Sequence, residues 1–195
     1  MNSPNQSLSN RIWWTRKARI EAEQRLLWTS FHANLLLFYY SAFSVGTSVY
    51  YFKFAPKSEY INFVWILFSI LIFCVQCFSS GFQFDRRAGL LKECYEALGN
   101  LDQKCNDANE DELILIREDF TLLLRSCENH QSLDYYHAIF NEKWISGGEI
   151  NKDLTKGMCF LIFTSFLSRI LVLTFLYLLP FSLFLLSSDT KQIAN

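Results

Sequence analysis

The chain has 195 residues, a formal net charge of −1, 51% hydrophobic and 19% charged residues, which leaves room for one domain or two small ones. A near-zero charge excludes a global electrostatic pull toward nucleic acid. So many apolar residues beside so many charges mean segregation into apolar spans and a polar remainder.

Met1 to Asn10 is rich in Asn and Ser and reads as a frayed tail. Arg11 to Thr29 mixes Trp13, Trp14 and Trp28 with Arg11, Arg16, Lys17, Arg19 and Arg25. Glu21 precedes Arg25 by four residues, so the stretch predicts a helix with an i,i+4 pair, lying in the membrane interface. Its length and the lack of a small-residue cleavage site argue against a signal peptide.

Leu35 to Phe52 and Tyr60 to Phe84 carry no charge. Each is close to the roughly 20 residues that cross a bilayer core as a helix. Lys53, Pro56, Lys57, Ser58 and Glu59 form a short polar turn, predicting an antiparallel transmembrane hairpin. The first run carries Ser41, Ala42, Ser44, Gly46, Thr47 and Ser48. Ala42 and Gly46 make a small-x-x-x-small pair, suited to packing against the second run, to a subunit contact or to a pore lining. The basic residues of Arg11–Arg25 and the Arg86, Arg87, Lys92 cluster outnumber those of the turn, which places both flanks and the N-terminus in the cytoplasm.

The six cysteines, Cys74, Cys77, Cys94, Cys105, Cys127 and Cys159, follow no secreted framework and are expected as reduced thiols. Cys74 and Cys77 form a C-x-x-C inside an apolar run, read as small packing residues and not as a redox or metal motif.

Leu90, Leu91, Cys94, Tyr95, Leu98 and Leu101 recur at helical spacing and predict that the second span continues into a long amphipathic cytoplasmic helix. Asn106 to Asp111 is a polar break. A helix from Glu112 to about Arg125 presents Leu113, Ile116, Phe120 and Leu124 on one face. Ser132 is the expected N-cap of a third, with Asp134 in its first turn, Tyr136, Ile139 and Phe140 inward, and Gly147 and Gly148 as its stop. From Phe82 to Lys156 nine Lys or Arg face fifteen Asp or Glu, so this part has no basic stripe for a phosphate backbone. It contains no Gly-rich phosphate loop, no G-x-S-x-G and no paired metal-ligand histidines.

Gly157 to Ser168 and Ile170 to Ser188 are uncharged, with Arg169 between them. Ile170 to Leu186 suffices for a third span. Arg169 is then expected at the cytoplasmic headgroups, with Met158 to Ser168 partly in the interface, and Pro180 is tolerated within the span.

The densest polar cluster outside the apolar runs is Glu128, Asn129, His130, Asp134, Tyr135, Tyr136 and His137. Asp134 and His137 alone have i,i+3 ligand spacing, too few for a metal centre. The cluster reads as a capped helix start, or as the contacts of a ligand-operated switch.

A basic helix ending in Arg19, Glu21, Ala22 and Arg25 leads into two close apolar runs. Phe84, Arg86, Arg87, Tyr95 and Leu98 follow, then Glu128-Asn129-His130 and Asp134-Tyr135. In this order and spacing, over Arg11 to Ile150, the chain resembles the SLATT family, the SMODS and SLOG-associating two-transmembrane effectors linked to nucleotide-second-messenger and reverse-transcriptase conflict systems of prokaryotes. The resemblance implies an antiviral-defence effector that opens the inner membrane and kills or arrests the infected cell. The segment Gly157–Ser188 goes beyond a two-span definition.

The expectation is therefore an all-α membrane protein of four parts: a tail and basic interfacial helix (1–30), a transmembrane hairpin (31–84), a cytoplasmic helical unit (85–156) and a third span with its tail (157–195). It is expected in the inner membrane as a multi-pass, non-enzymatic, cofactor-free homo-oligomer with a nucleotide-signal or reverse-transcriptase partner and no direct nucleic-acid binding. The alternative function is a non-conducting membrane-anchored scaffold or sensor that binds a cytoplasmic partner.

Overall fold

The computed structural model describes residues 4–54, 59–147 and 152–193. All secondary structure among them is helical: α1 (Pro4–Phe54), α2 (Glu59–Gly81), α3 (Phe84–Asp107), α4 (Glu110–Ser126), α5 (Ser132–Trp144) and α6 (Lys156–Ile193). The chain divides into two compact units, residues 1–29 with 84–165 and residues 30–83 with 166–195. The expected turn at Pro56, Lys57 and Ser58 lies outside the described residues, as does Gly148.

In the first unit, α1 runs antiparallel to both α3 and α5. Ser9 donates to Asp102 at 2.7 Å, and Ala22 and Leu26 share a core cluster with Ala88 and Leu91. On the side toward α5, Lys17 reaches Glu142 and Arg25 reaches Asp134. The end of the unit is closed by Leu8, Ile12, Leu98, Leu101, Leu113, Ile116 and Phe120. From Pro4 on, the polar N-terminal stretch is thus not frayed: α1 starts at Pro4, Leu8 is buried, and the Asn5 side chain donates to the Ala108 carbonyl at 2.9 Å. Tertiary burial overrides the poor helix propensity of Asn and Ser.

Helix α4 starts two residues before the expected Glu112, because Asn109 and Glu112 form a reciprocal capping box at 3.0 and 2.9 Å. Leu113, Ile116 and Phe120 are buried. Leu124 and, in α3, Leu90 face outward instead, while Leu123 packs against the core. Helix α5 is capped one residue earlier than expected, at Gln131, whose N–H donates to the Asp134 carboxylate at 2.8 Å. It ends at Trp144, and Gly147 beyond it takes a positive φ of 64°.

The long helix expected from the second apolar run into α3 is broken. Helix α2 ends at Gly81, α3 begins at Phe84, and Gln83 between them has φ 46°. A left-handed residue ends a helical hydrogen-bond ladder, and outside glycine it is held there by its surroundings.

In the second unit, α1 and α2 are antiparallel and α6 runs parallel to α1. Tyr40 lies by Phe68 and Tyr51 by Trp65, whereas Tyr40 meets Leu176 and Tyr50 meets Phe184. The core is aromatic: Tyr51, Trp65, Phe68 and Ile72 are buried, with Phe43, Leu179, Leu183 and Phe184 packed on them. Pro180 lies inside α6 and is fully buried. Proline has no N–H, so the carbonyl four residues earlier, that of Leu176, loses its helical donor. The Tyr40 hydroxyl donates to that carbonyl at 2.6 Å.

Among the described residues one helix, α6, is long and apolar enough over Lys156–Leu185 to cross a membrane, and α2 has a shorter apolar stretch, Phe63–Cys77. The run Leu35–Phe52 is diluted by Ser, Thr and Tyr. Helix α6 continues through Arg169 without a break, so Met158–Ser168 is not a separate element.

Candidate functional site

The basic residues of α1 from Arg16 to Arg25 are spent on the fold of the first unit. Arg19, expected at an interface, is fully buried, and Trp14 is buried. Arg25 is not paired with Glu21: its Nε and Nη2 meet the two Asp134 oxygens at 2.8 and 3.2 Å, a bidentate geometry that favours arginine. Glu21 accepts from the Asn141 amide at 2.7 Å. Lys17 Nζ lies 2.9 Å from Glu142. Arg16 packs where Gly99 lacks a side chain: a Cβ there would lie 3.2 Å from its guanidinium carbon.

Of these contacts, the Arg25–Asp134 pair lies beside the stretch joining α4 to α5. Glu128 pairs through both carboxylate oxygens with Arg87 of α3. The Arg87 hydrogen bond holds the Glu128 carboxyl below 4.5; burial opposes it, and the Arg87 and Arg25 charges add to the lowering. Asp134, deeply buried, caps its own helix through the Gln131 N–H and also binds Arg25. His130 is half-buried, and its Nδ1 has no hydrogen-bond partner among the described residues. Burial first, then the nearby Arg19 charge, push the imidazole below 6.5, while Asp134 pulls the other way. Tyr135 stacks edge-on to Trp14 with centroids 6.0 Å apart. Lys152 Nζ sits 4.9 Å from both rings and donates to the Tyr135 hydroxyl. Asn129 and Arg86 are exposed.

Arg19 has no carboxylate. Its Nη1 donates to Cys94 Sγ, and Nε and Nη2 have no partner among the described residues. Burial draws its pKa down from the ordinary guanidinium range, yet a guanidinium remains charged at neutral pH. Cys94 is joined to Cys127 in a disulfide. This corrects the expectation of reduced thiols: the two lie 33 residues apart with no spacing motif, and only the docking of the end of α4 onto α3 brings them together. Cys74, Cys77, Cys105 and Cys159 take part in no disulfide among the described residues. No group of three or more His, Cys, Asp or Glu side chains able to hold a metal occurs among the described residues.

The small face of the second unit splits in two. Ser44 and Thr47 are buried, and Ser44 Oγ meets Ser69 Oγ of α2 at 2.8 Å. Ser41, Ala42, Gly46 and Ser48 point outward, and a Cβ on Gly46 would meet nothing within 4 Å. The Ala42–Gly46 pair therefore does not pack α1 against α2. It lines an open groove of about 400 Å³ with Phe43, Thr47, Tyr50, Phe181 and Phe184.

No curated protein and no solved structure matches the chain. Residues 1–186, nearly the whole length, match the family described as SMODS and SLOG-associating 2TM effector domain family 5. With its all-helical fold and long apolar helix, the chain belongs to that SLATT family.

Proposed function

We propose that this protein is a membrane effector of prokaryotic antiviral defence, which assembles copies of itself in the inner membrane and permeabilises it when a cytoplasmic partner engages the first unit. The family match, to an effector domain named for its two transmembrane segments, carries the reading. The segments would be the apolar parts of α1 and α2, with α6 as an additional span beside them. The outward Ser41, Ala42, Gly46 and Ser48 face supports assembly, since small residues let helices of neighbouring copies approach where packing drives association in lipid. In this reading the protein performs no covalent catalysis on a substrate. The trigger is a nucleotide signal or a reverse-transcriptase partner, and the N-terminus is cytoplasmic, from the basic flanks.

Purified protein in liposomes should release a trapped dye once triggered. An intact dye signal at every protein density, with a partner bound, would leave the scaffold reading. Gly46→Leu should abolish the crosslinked oligomer while membrane insertion persists, because added bulk separates backbones yet makes the helix more apolar. An unchanged crosslinking ladder would remove this face from the assembly.

A further inference from the structure

The Cys94–Cys127 bond differs from an inert structural staple in two respects. The first is a difference in access. Cys94 is buried in the α1–α3 seam, whereas Cys127 is only partly buried and sits in extended backbone just past α4, beside the exposed Ser126. The second is charge. The group in contact with Cys94 Sγ is the Arg19 guanidinium, wholly buried, without a carboxylate and with two nitrogens lacking partners among the described residues. A buried cation with no counter-charge is destabilising. A thiolate at Cys94 would supply that counter-charge, and a disulfide sulfur does not.

We infer that Cys94–Cys127 is a thiol-exchange site, opened by a dithiol reductant that attacks Cys127, with Arg19 receiving the departing Cys94 sulfur as a thiolate. One thiol of the reductant gives its proton to solvent, and its sulfur forms a bond to Cys127 Sγ. The Cys94–Cys127 bond breaks, and its electron pair leaves on Cys94 beside Arg19. The second thiol then loses its proton and attacks the reductant's own sulfur in the mixed disulfide, closing the reductant's disulfide and expelling Cys127 as a thiolate that takes up a proton. The reductant is oxidised by two electrons and the protein gains them. A more stable leaving thiolate departs faster, and a positive neighbour provides that stability. Opening the bond frees the end of α4 from α3 next to Glu128 and His130, so the chemistry bears on the same connection that Arg87 and Arg25 hold.

The test uses the full chain in detergent, oxidised with glutathione disulfide and reduced with dithiothreitol at neutral pH, followed by alkylation and mass spectrometry of the Cys94 and Cys127 peptides. The parent should contain the bond and lose it without denaturant. Arg19→Lys should behave as the parent, and Arg19→Gln should be reduced about tenfold more slowly, the effect of removing a charge from the leaving group. Should Arg19→Gln fail to fold by circular dichroism, the parent alone decides. Its reduced form should show thiolate absorbance at 240 nm titrating below the ordinary thiol range, with that component absent from Cys94→Ser. No bond after oxidation, equal rates in parent and a folded Arg19→Gln, or a Cys94 thiol that titrates at or above the ordinary range would each overturn the assignment.

Discussion

The two units of this protein hold helices together by opposite means. In the first, long charged side chains cross between elements: Arg25 to Asp134 and Lys17 to Glu142 from helix to helix, and Arg87 to Glu128 in the α4–α5 connection. In the second, rings pack on rings around Tyr51, Trp65 and Phe68, and its named polar contacts are made by hydroxyls, Ser44 with Ser69 and Tyr40 with a backbone carbonyl. Under the proposed membrane placement of the second unit, the difference follows from solvent. A charged seam can be assembled where water solvates the chain beforehand, whereas in lipid a polar group must find its partner within the protein.

The largest expected effect comes from stripping one charge out of the seam. Asp134→Leu leaves Arg25 partly buried without its partner and removes the cap of α5, so it should destabilise the first unit by about 3–5 kcal/mol. The Arg25→Met, Asp134→Leu double variant should recover much of that loss, because no unpaired charge remains. Hydrogen exchange at the α5 amides reads both. A double variant as unstable as the sum of the singles would mean that the ion pair is not what joins α5 to α1.

A smaller effect is expected where the second unit satisfies a carbonyl. Tyr40→Phe should destabilise it by about 1–3 kcal/mol, since the Leu176 carbonyl is left without a donor. Pro180→Ala restores an N–H to α6, so Tyr40→Phe in that background should be nearly neutral. Equal losses in both backgrounds would sever the link between the proline and the tyrosine.

The smallest effect is a pH dependence of the first unit. His130 has its folded pKa depressed below 6.5, chiefly by burial and then by Arg19. The unfolded chain therefore binds the proton more readily, and stability falls as pH drops from 6.5 toward the folded value. His130→Phe should flatten that limb of a melting-temperature profile between pH 7.5 and 5.5. The Glu128–Arg87 pair acts in a different window: its stabilisation persists above pH 4.5 and is lost as pH falls through the lowered Glu128 value. An unchanged slope in His130→Phe would assign the limb to another group.

Periodicity made Leu91, Leu98, Leu113, Ile116 and Phe120 readable as inward positions, because a surface helix repeats its apolar residues near 3.6. The same rule misjudged Leu90 and Leu124, each next to a residue that could equally have taken the core position. The break at Gln83 left no mark, since glutamine is a good helix former and only its backbone conformation ends α2. Asn109 with Glu112 was a capping signal three residues apart, and the polar composition around it hid it. Arg19 was the hardest to place. Its charge suggested a surface, yet Leu8, Ile12, Arg19, Ala22 and Leu26 fall at spacings of three, four and seven along one helix face, all of them buried. The disulfide rests on a tertiary contact that no local pattern encodes.

The order in which the first unit is assembled from its two stretches of chain has a consequence during synthesis. Arg25 leaves the ribosome 109 residues before Asp134, an interval of about 5–20 s at ordinary elongation rates. Until α3 emerges α1 has neither α3 nor α5 to fold against, and it lacks α5 to the end of the interval, so Arg16, Lys17, Arg19 and Arg25 begin as hydrated cations on a nascent chain whose apolar runs are already emerging. Under the proposed membrane function they would be available to insertion machinery as a charge signal during the interval in which topology is chosen. They become internal braces only once the remaining helices have been made, so one set of residues serves two successive purposes separated by translation time.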